Sequence, residues 1–278
     1  GGSLTEHARQ VATVIQSLGG ELQSTAIGQS FRTNALEAAF LGGTCAHSIE
    51  FDDTGQFAHT GAGVIPPAVS LGEARQVDGK TLILAIVAGY ELTARVSAAA
   101  GLEHRVRGYH PTATCGVFGA TAAGAKILGL NASQLERALG TAASQSGGVT
   151  QYRNDGGPTK HIHPGIAARA GLLSALMAEA GFAGTADAFE GKYGFLNILS
   201  DGGDPDKLTE NFGTEFGLTS SDLRPYPCCR QIHAPADLVL DMVHKNGVKA
   251  DDIEIIELYL PEYSVKQDWL INTDPPTS

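Results

Sequence analysis

The sequence predicts a mainly α protein: a large, multilayered helical domain over residues 1–248, then the opening of a smaller α+β lid domain over 249–278 that stops short. Three observations predict it. Apolar and small residues recur at helical spacing through most of the chain up to residue 246, glycine and Asx residues punctuate those runs, and a strand-like run comes only after Lys249. At 278 residues the chain is long enough for one large domain and part of another.

Taken in order, helices are expected over 4–18, 34–50, 64–76, 79–100, 111–128, 132–145, 165–181 and 233–246. Gly19, Gly101, Gly129 and Gly181 serve as C-terminal stops, Asp78-Gly79 opens one helix and Asn131 caps another. Within 111–128, Gly116, Ala120 and Gly124 share a face at four-residue spacing, with Gly119 and Ala123 beside them. Small side chains let helix backbones approach closely, as a densely layered core requires. The most apolar run, Leu82 to Ala100, contains Glu91 and Arg95 and reads as a core helix, not a membrane span. The run from Asp252 to Leu260, closed by Pro261, reads as a strand, and a lone strand needs a partner.

Charge and cysteine usage narrow the function classes. Asp plus Glu is 30 against 19 for Lys plus Arg, a net charge of −11, and no basic run offers a phosphate-tracking surface. This argues against a nucleic-acid partner. Cys45, Cys115, Cys228 and Cys229 lack the paired spacing of a zinc or iron–sulfur site, which points to reduced thiols in a cytoplasmic compartment. The first residues have neither the basic n-region nor the apolar h-region of a signal peptide.

Two stretches carry the chemistry: Gly108 to Gly116, containing His110-Pro111, and Pro158 to Gly165, containing Lys160, His161 and His163. Each places basic residues just before a helical run, where unpaired N–H groups and the helix dipole attract anions. A small polycarboxylate fits such a pocket. Proton removal beside a carboxylate requires a base and a holder for the developing negative charge. His110 supplies the base, since imidazole titrates near neutrality, and Lys160 with the N–H groups opening a helix at Gly165 holds the oxygens. His59 and Cys229 are candidates for the second proton-transfer group.

Six segments taken together, in order and spacing, resemble the MmgE/PrpD family: Glu50-Phe51-Asp52-Asp53-Thr54, His59 to Pro66, Gly108 to Thr112, Lys160 to Gly165, Glu190 to Phe195, and Pro225 to His233. That family includes 2-methylcitrate dehydratase, cis-aconitate decarboxylase and iminodisuccinate epimerase. The resemblance implies a site without cofactor or metal between a helical domain and a lid, a small di- or tricarboxylate substrate, and a homodimer. It places Glu50, Thr54, His59, His110 and Lys160 in the pocket. Asp53 and His163 join Glu50 and Thr54 as candidate substrate-binding groups, with a structural role as the alternative for His163. Cys229 stands where the decarboxylase branch carries a histidine, and Glu50 where it carries an aspartate, which argues against cis-aconitate decarboxylation. The Thr159 to Gly165 segment lacks the Trp-Lys of the dehydratase branch, leaving dehydration and epimerisation open.

Two rival readings come from other classes. His161 and His163, a His-x-His pair, would join His59 or Glu50 as metal ligands in a hydrolase if the segment were a strand. A chain without a complete lid could instead be a non-catalytic helical binding or dimerisation module. The helices over 82–100 and 111–128 are apolar around so much of their circumference that they imply a layered core and a subunit interface.

Overall fold

The computed structural model describes residues 1–55 and 57–261. Helix α1 (Glu6–Leu18) turns Ala8, Ala12 and Ile15 inward and ends at Gly19, whose positive φ of 68° stops it as expected. A short antiparallel hairpin follows, β1 (Ser24–Thr25) with β2 (Arg32–Thr33), pairing Ser24 with Thr33. The sequence pattern gave no sign of it, because two-residue strands have no periodicity. It is fastened by side chains: Ser24 Oγ donates to Ser70 O at 2.7 Å, and Thr25 and Arg32 both bind Glu73.

The helical layers are α2 (Ala35–His47), α3 (Thr60–Arg75), α4 (Gly79–Val106), α5 (Pro111–Thr114), α6 (Gly116–Leu128), α7 (Ala132–Ala143), α8 (Tyr152–Asp155), α9 (Thr159–Glu179), α10 (Phe195–Leu199) and α11 (His233–Asn246). Helix α6 is the centre, buried continuously from Gly116 to Ala125. Its small residues explain why: a Cβ at Gly119 would lie 2.6 Å from Gly89 O of α4, and one at Gly124 would lie 3.0 Å from Ala175 and Leu172 of α9. The four-residue spacing thus seats α6 between α4 and α9. Around it Val64, Leu71, Tyr90 and Leu172 form one apolar cluster, and Val96, Val117, Phe118, Phe195 and Leu196 a second. Each fully buried large side chain contributes about 1.5–3 kcal/mol relative to exposure.

Helix α4 is long and apolar enough to cross a membrane by length and composition. Here it packs on α6 and α3, and its buried Glu91 and Arg95 pair with each other at 2.6 Å. Arg95 Nη1 also donates to Glu210 O, and Glu91 Oε2 accepts from the Gly217 N–H, so the pair clamps the following irregular segment. Gly101 (φ 66°, ψ −165°) interrupts α4 at the expected stop, and a separate turn carries on to Val106.

Three boundaries differ from the sequence reading, and all three bear on the site. Helix α2 ends at His47, so Glu50 falls in a loop; α3 begins at Thr60 with Pro66 and Pro67 inside it; α9 begins at Thr159, with Pro164 inside it. Lys160, His161 and His163 therefore ride on the first turns of α9, and Gly165 lies in the helix interior rather than opening it. Tertiary packing outweighs the cost of the internal prolines. The expected strand over 252–260 also fails to form: Ala250–Asp252 is a 3₁₀ turn, and residues 253–261 pair with no strand among the described residues. Without a neighbouring edge, an apolar extended run has no ladder to join. The rest of the expected lid, residues 262–278, lies outside the described residues.

Helices α2 and α9 cross at two glycines. A Cβ on Gly43 would stand 2.7 Å from Gly165 N and 2.8 Å from its Cα, backbone atoms that can move only with their helix. Gly43→Ala gains up to about 1 kcal/mol of helix propensity but overpacks this crossing by about 1–3 kcal/mol. The variant should be less stable by about 1–2 kcal/mol, measured as a lower urea midpoint at unchanged m-value.

Candidate active site

The loop from Ser48 to His59 joins α2 to α3 and carries three carboxylates inward. Glu50 adopts a left-handed backbone (φ 53°), and its carboxylate becomes an anionic hub. Arg224, whose side chain is fully buried, donates from both Nη1 and Nη2 to Glu50 Oε2 at 2.8 Å, and from Nη1 to Glu50 O at 2.6 Å. Lys160 Nζ lies 2.5 Å from Glu50 Oε1. A backbone bridge between Thr54 and Asp222, at 3.0 and 2.9 Å, fixes the Arg224 segment against the loop. Burial pushes the Glu50 carboxyl up, but His47, Lys160 and His59 outweigh it and hold the group down at about 2. Asp52 is lowered in the same way: burial raises it, while His47 and Arg224 pull it down further.

Imidazoles surround this hub. His47, at the end of α2, is fully buried; its Nδ1 donates to Asp52 Oδ2 at 2.9 Å, while Nε2 has no hydrogen-bond partner and lies 3.6 Å from Glu50 Oε1. His59 precedes α3, donates its backbone N–H to Thr112 Oγ1 at 3.0 Å, and accepts from Arg224 Nη2 at its Nδ1. His110 precedes Pro111 at the start of α5, where its N–H donates to Gly148 O. Its Nδ1 is 2.8 Å from Nδ1 of His163, so one ring donates to the other.

Burial first, then the neighbouring cationic and imidazole groups, holds His59 and His110 well below the ordinary imidazole range. Both are neutral at pH 7. His110 therefore does not titrate near neutrality as the sequence reading supposes; it offers a lone pair, but as a weak base. The His-x-His reading is also overturned. On a helix, residues two apart diverge: His161 donates from Nδ1 to His47 O and stacks on His7, while His163 meets His110. A different trio converges, since ring nitrogens of His47, His59 and His110 lie within 4.8 Å of one another.

A cavity of about 750 Å³ opens beside these groups, with Thr54, His59, His110, Lys160 and Cys229 on its wall. Of the remaining candidates, Glu50 stands behind Lys160 and His163 behind His110. Asp53 points elsewhere: it accepts from the Gly61 N–H at 3.0 Å and bonds the Tyr90 hydroxyl, so it secures the start of α3. Sequence reasoning missed His47, Arg224 and the wall residues Arg105, Tyr152, Arg153 and Arg230. Signals existed for two of them. His47 lies three residues before Glu50, and Arg224 immediately precedes the Pro225-Tyr226-Pro227-Cys228-Cys229 segment.

Comparison with family models matches residues 1–208 to the MmgE/PrpD N-terminal domain. The chain belongs to the MmgE/PrpD family. Among curated relatives, it is 29% identical to the cis-aconitate decarboxylase-like protein oryM of Aspergillus oryzae over 88% of this chain and 54% of the relative. It is 30% identical to the cis-aconitate decarboxylase of Mus musculus over 94% of this chain and 56% of the relative. With that of Homo sapiens it shares 33% identity over 63% of this chain and 37% of the relative. The chain thus spans about half the length of the relatives it matches. Arg224, Cys229 and Arg230 lie beyond the segment matched to the MmgE/PrpD domain.

His104, His161 and His163 are each pushed down to about 4, chiefly by burial, from an ordinary value of 6.5. In the unfolded chain they take up protons that the folded chain refuses, so their contribution to stability is complete above pH 6.5 and lost as pH falls toward 4. Denaturant midpoints should therefore drop between pH 7 and pH 4.5. His163→Gln should flatten part of that slope, and an unchanged pH profile would show that His163 does not titrate in this window.

Proposed function

We propose that this protein is a cofactor-independent lyase or isomerase that moves a proton beside a carboxylate of a small di- or tricarboxylate. The observation that carries the reading is the meeting of two neutral imidazoles, His59 and His110, with Lys160 on the wall of one cavity. Arg105, Arg153 and Arg230 on the same wall favour an anionic guest in a chain of net charge −11. The decarboxylase names of the relatives support a lyase acting on this substrate class. Glu50 and Cys229, which differ from the decarboxylase pattern, favour dehydration or epimerisation over loss of carbon dioxide.

In this mechanism a substrate carboxylate displaces Glu50 Oε1 as the partner of Lys160, a charge-assisted contact worth about 1.5–3 kcal/mol. The guest's negative charge raises the proton affinity of His110 when a base is required. His110 donates its Nδ1–H to His163, which leaves its Nε2 lone pair to take the proton from carbon. The C–H electron pair moves onto the carboxylate, where Lys160 holds the oxygens. His59 or Cys229 then returns a proton to the carbon or protonates a departing hydroxyl. Leu260 and Pro261 reach the cavity wall, which supports a lid role for the segment after Lys249. Exposed Ile83 and Leu84 on α4 suit a homodimer interface in the helical domain, and the free thiols suit the cytoplasm.

A screen in heavy water with citrate, 2-methylcitrate, cis-aconitate and amino- or imino-dicarboxylates tests the reading. Deuterium should enter at a carbon beside a carboxylate in at least one of them, with or without loss of water. Absence of exchange and turnover across the set would sink the proposal. With an active substrate, His110→Asn should fold normally and lose about 10²–10⁴-fold in turnover. Near-normal turnover would move the base to His59.

A further inference from the structure

We propose that His47, His59 and His110 form a binding site for a transition-metal dication of the Zn²⁺ or Co²⁺ type. The three ligand nitrogens lie within 4.8 Å of one another. A triangle of that edge has its centre about 2.8 Å from each corner, and metal–imidazole bonds are about 2.0–2.1 Å, so each ring must move inward by no more than about 0.7 Å. Rings carried by a loop and by two element ends can make such a shift.

The surroundings match what imidazole ligands need behind them. A ligating histidine engages its second nitrogen with a carboxylate, carbonyl or other acceptor, which fixes the tautomer and the ring's direction. Asp52 Oδ2 bonds Nδ1 of His47 at 2.9 Å and lies 3.6 Å from Nδ1 of His59, close enough to back that ring too if it turns from Arg224. Nδ1 of His110 is engaged by His163. For His47 and His110, whose Nδ1 atoms are so engaged, Nε2 remains for a ligand, and Nε2 of His47 is buried and without any hydrogen-bond partner. Glu50 Oε1, 3.6 Å from that nitrogen, is positioned as a fourth ligand.

Two rearrangements accompany loading. His59 must turn its Nδ1–H toward Asp52 and release the N–H of Arg224, and Lys160 must leave Glu50. Lys160 is one-fifth exposed and has the cavity to swing into. The cation also enters a balanced shell, because Glu50 and Asp52 offset Lys160 and Arg224. Imidazole-rich sites suit Zn²⁺, Co²⁺, Ni²⁺ and Cu²⁺ over Mg²⁺ or Ca²⁺.

The test reads binding directly and is independent of whether the catalytic reading above holds. Titrating the full chain with Co²⁺ at pH 7.5, in buffer without carboxylates, should give a saturable one-to-one visible absorption band that Zn²⁺ abolishes, and Zn²⁺ should raise Tm. His47→Gln and His59→Gln should each weaken binding at least tenfold, and Asp52→Asn by about 10–100-fold. His47 is wholly buried, so if its variant does not fold, His59→Gln, at a ring that borders the cavity, decides the matter. A featureless titration, or a folded His59→Gln that binds Co²⁺ as tightly as the parent, would overturn the proposal.

Discussion

The site depends on one buried ion cluster, the Glu50 carboxylate held between the guanidinium of Arg224 and the ammonium of Lys160. These three groups come from three otherwise separate pieces of chain: the α2–α3 loop, the segment after Asp222, and the first turn of α9. Burying such charges costs several kcal/mol per ion, and mutual attraction repays this only with good geometry. The cluster is therefore a device of position more than of net stability. It obliges three segments to meet at one point, because any of them alone would leave a charge without solvent or partner.

The cluster lies against the imidazoles, with His47 Nε2 3.6 Å from Glu50 and His59 Nδ1 accepting from Arg224. Burial, reinforced by the neighbouring cationic groups, keeps His59 and His110 uncharged. Lys160 and His110 both line the cavity, so a counter-charge placed there would meet an ammonium and a neutral imidazole together.

Much of the fold was legible in the chain. Gly116, Ala120 and Gly124 announced a closely packed helix, Asn131 capped α7 as expected and added a capping box with Gln134, and Gly101 and Gly129 ended helices where expected. The hairpin at 24–33 was not legible, since side chains from α3 hold it and local pattern does not. The starts of α3 and α9 were misjudged because internal prolines look like boundaries, and only the packed partner shows that the helix continues past them. Within the site, Thr54, His59, His110, Lys160 and Cys229 lie inside recognisable segments, and the structure places them on one cavity wall. His47 and Arg224 stand just outside such segments and went unremarked, because their place in the site comes from what they meet across long sequence separation. Asp53 shows the converse: it sits in the same acidic block as Glu50, yet the alternating direction of side chains sends it to α3.

The glycine crossing of α2 and α9 sets more than a packing distance. Gly43 precedes His47 by one helical turn, and Gly165 follows Lys160 by little more than one, so the crossing is a fixed point about one turn from both the cavity-wall lysine and the buried imidazole. Side-chain volume at these two positions therefore sets how closely the first turns of α9 approach the end of α2, a spacing that selection or design could alter without touching any residue on the cavity wall.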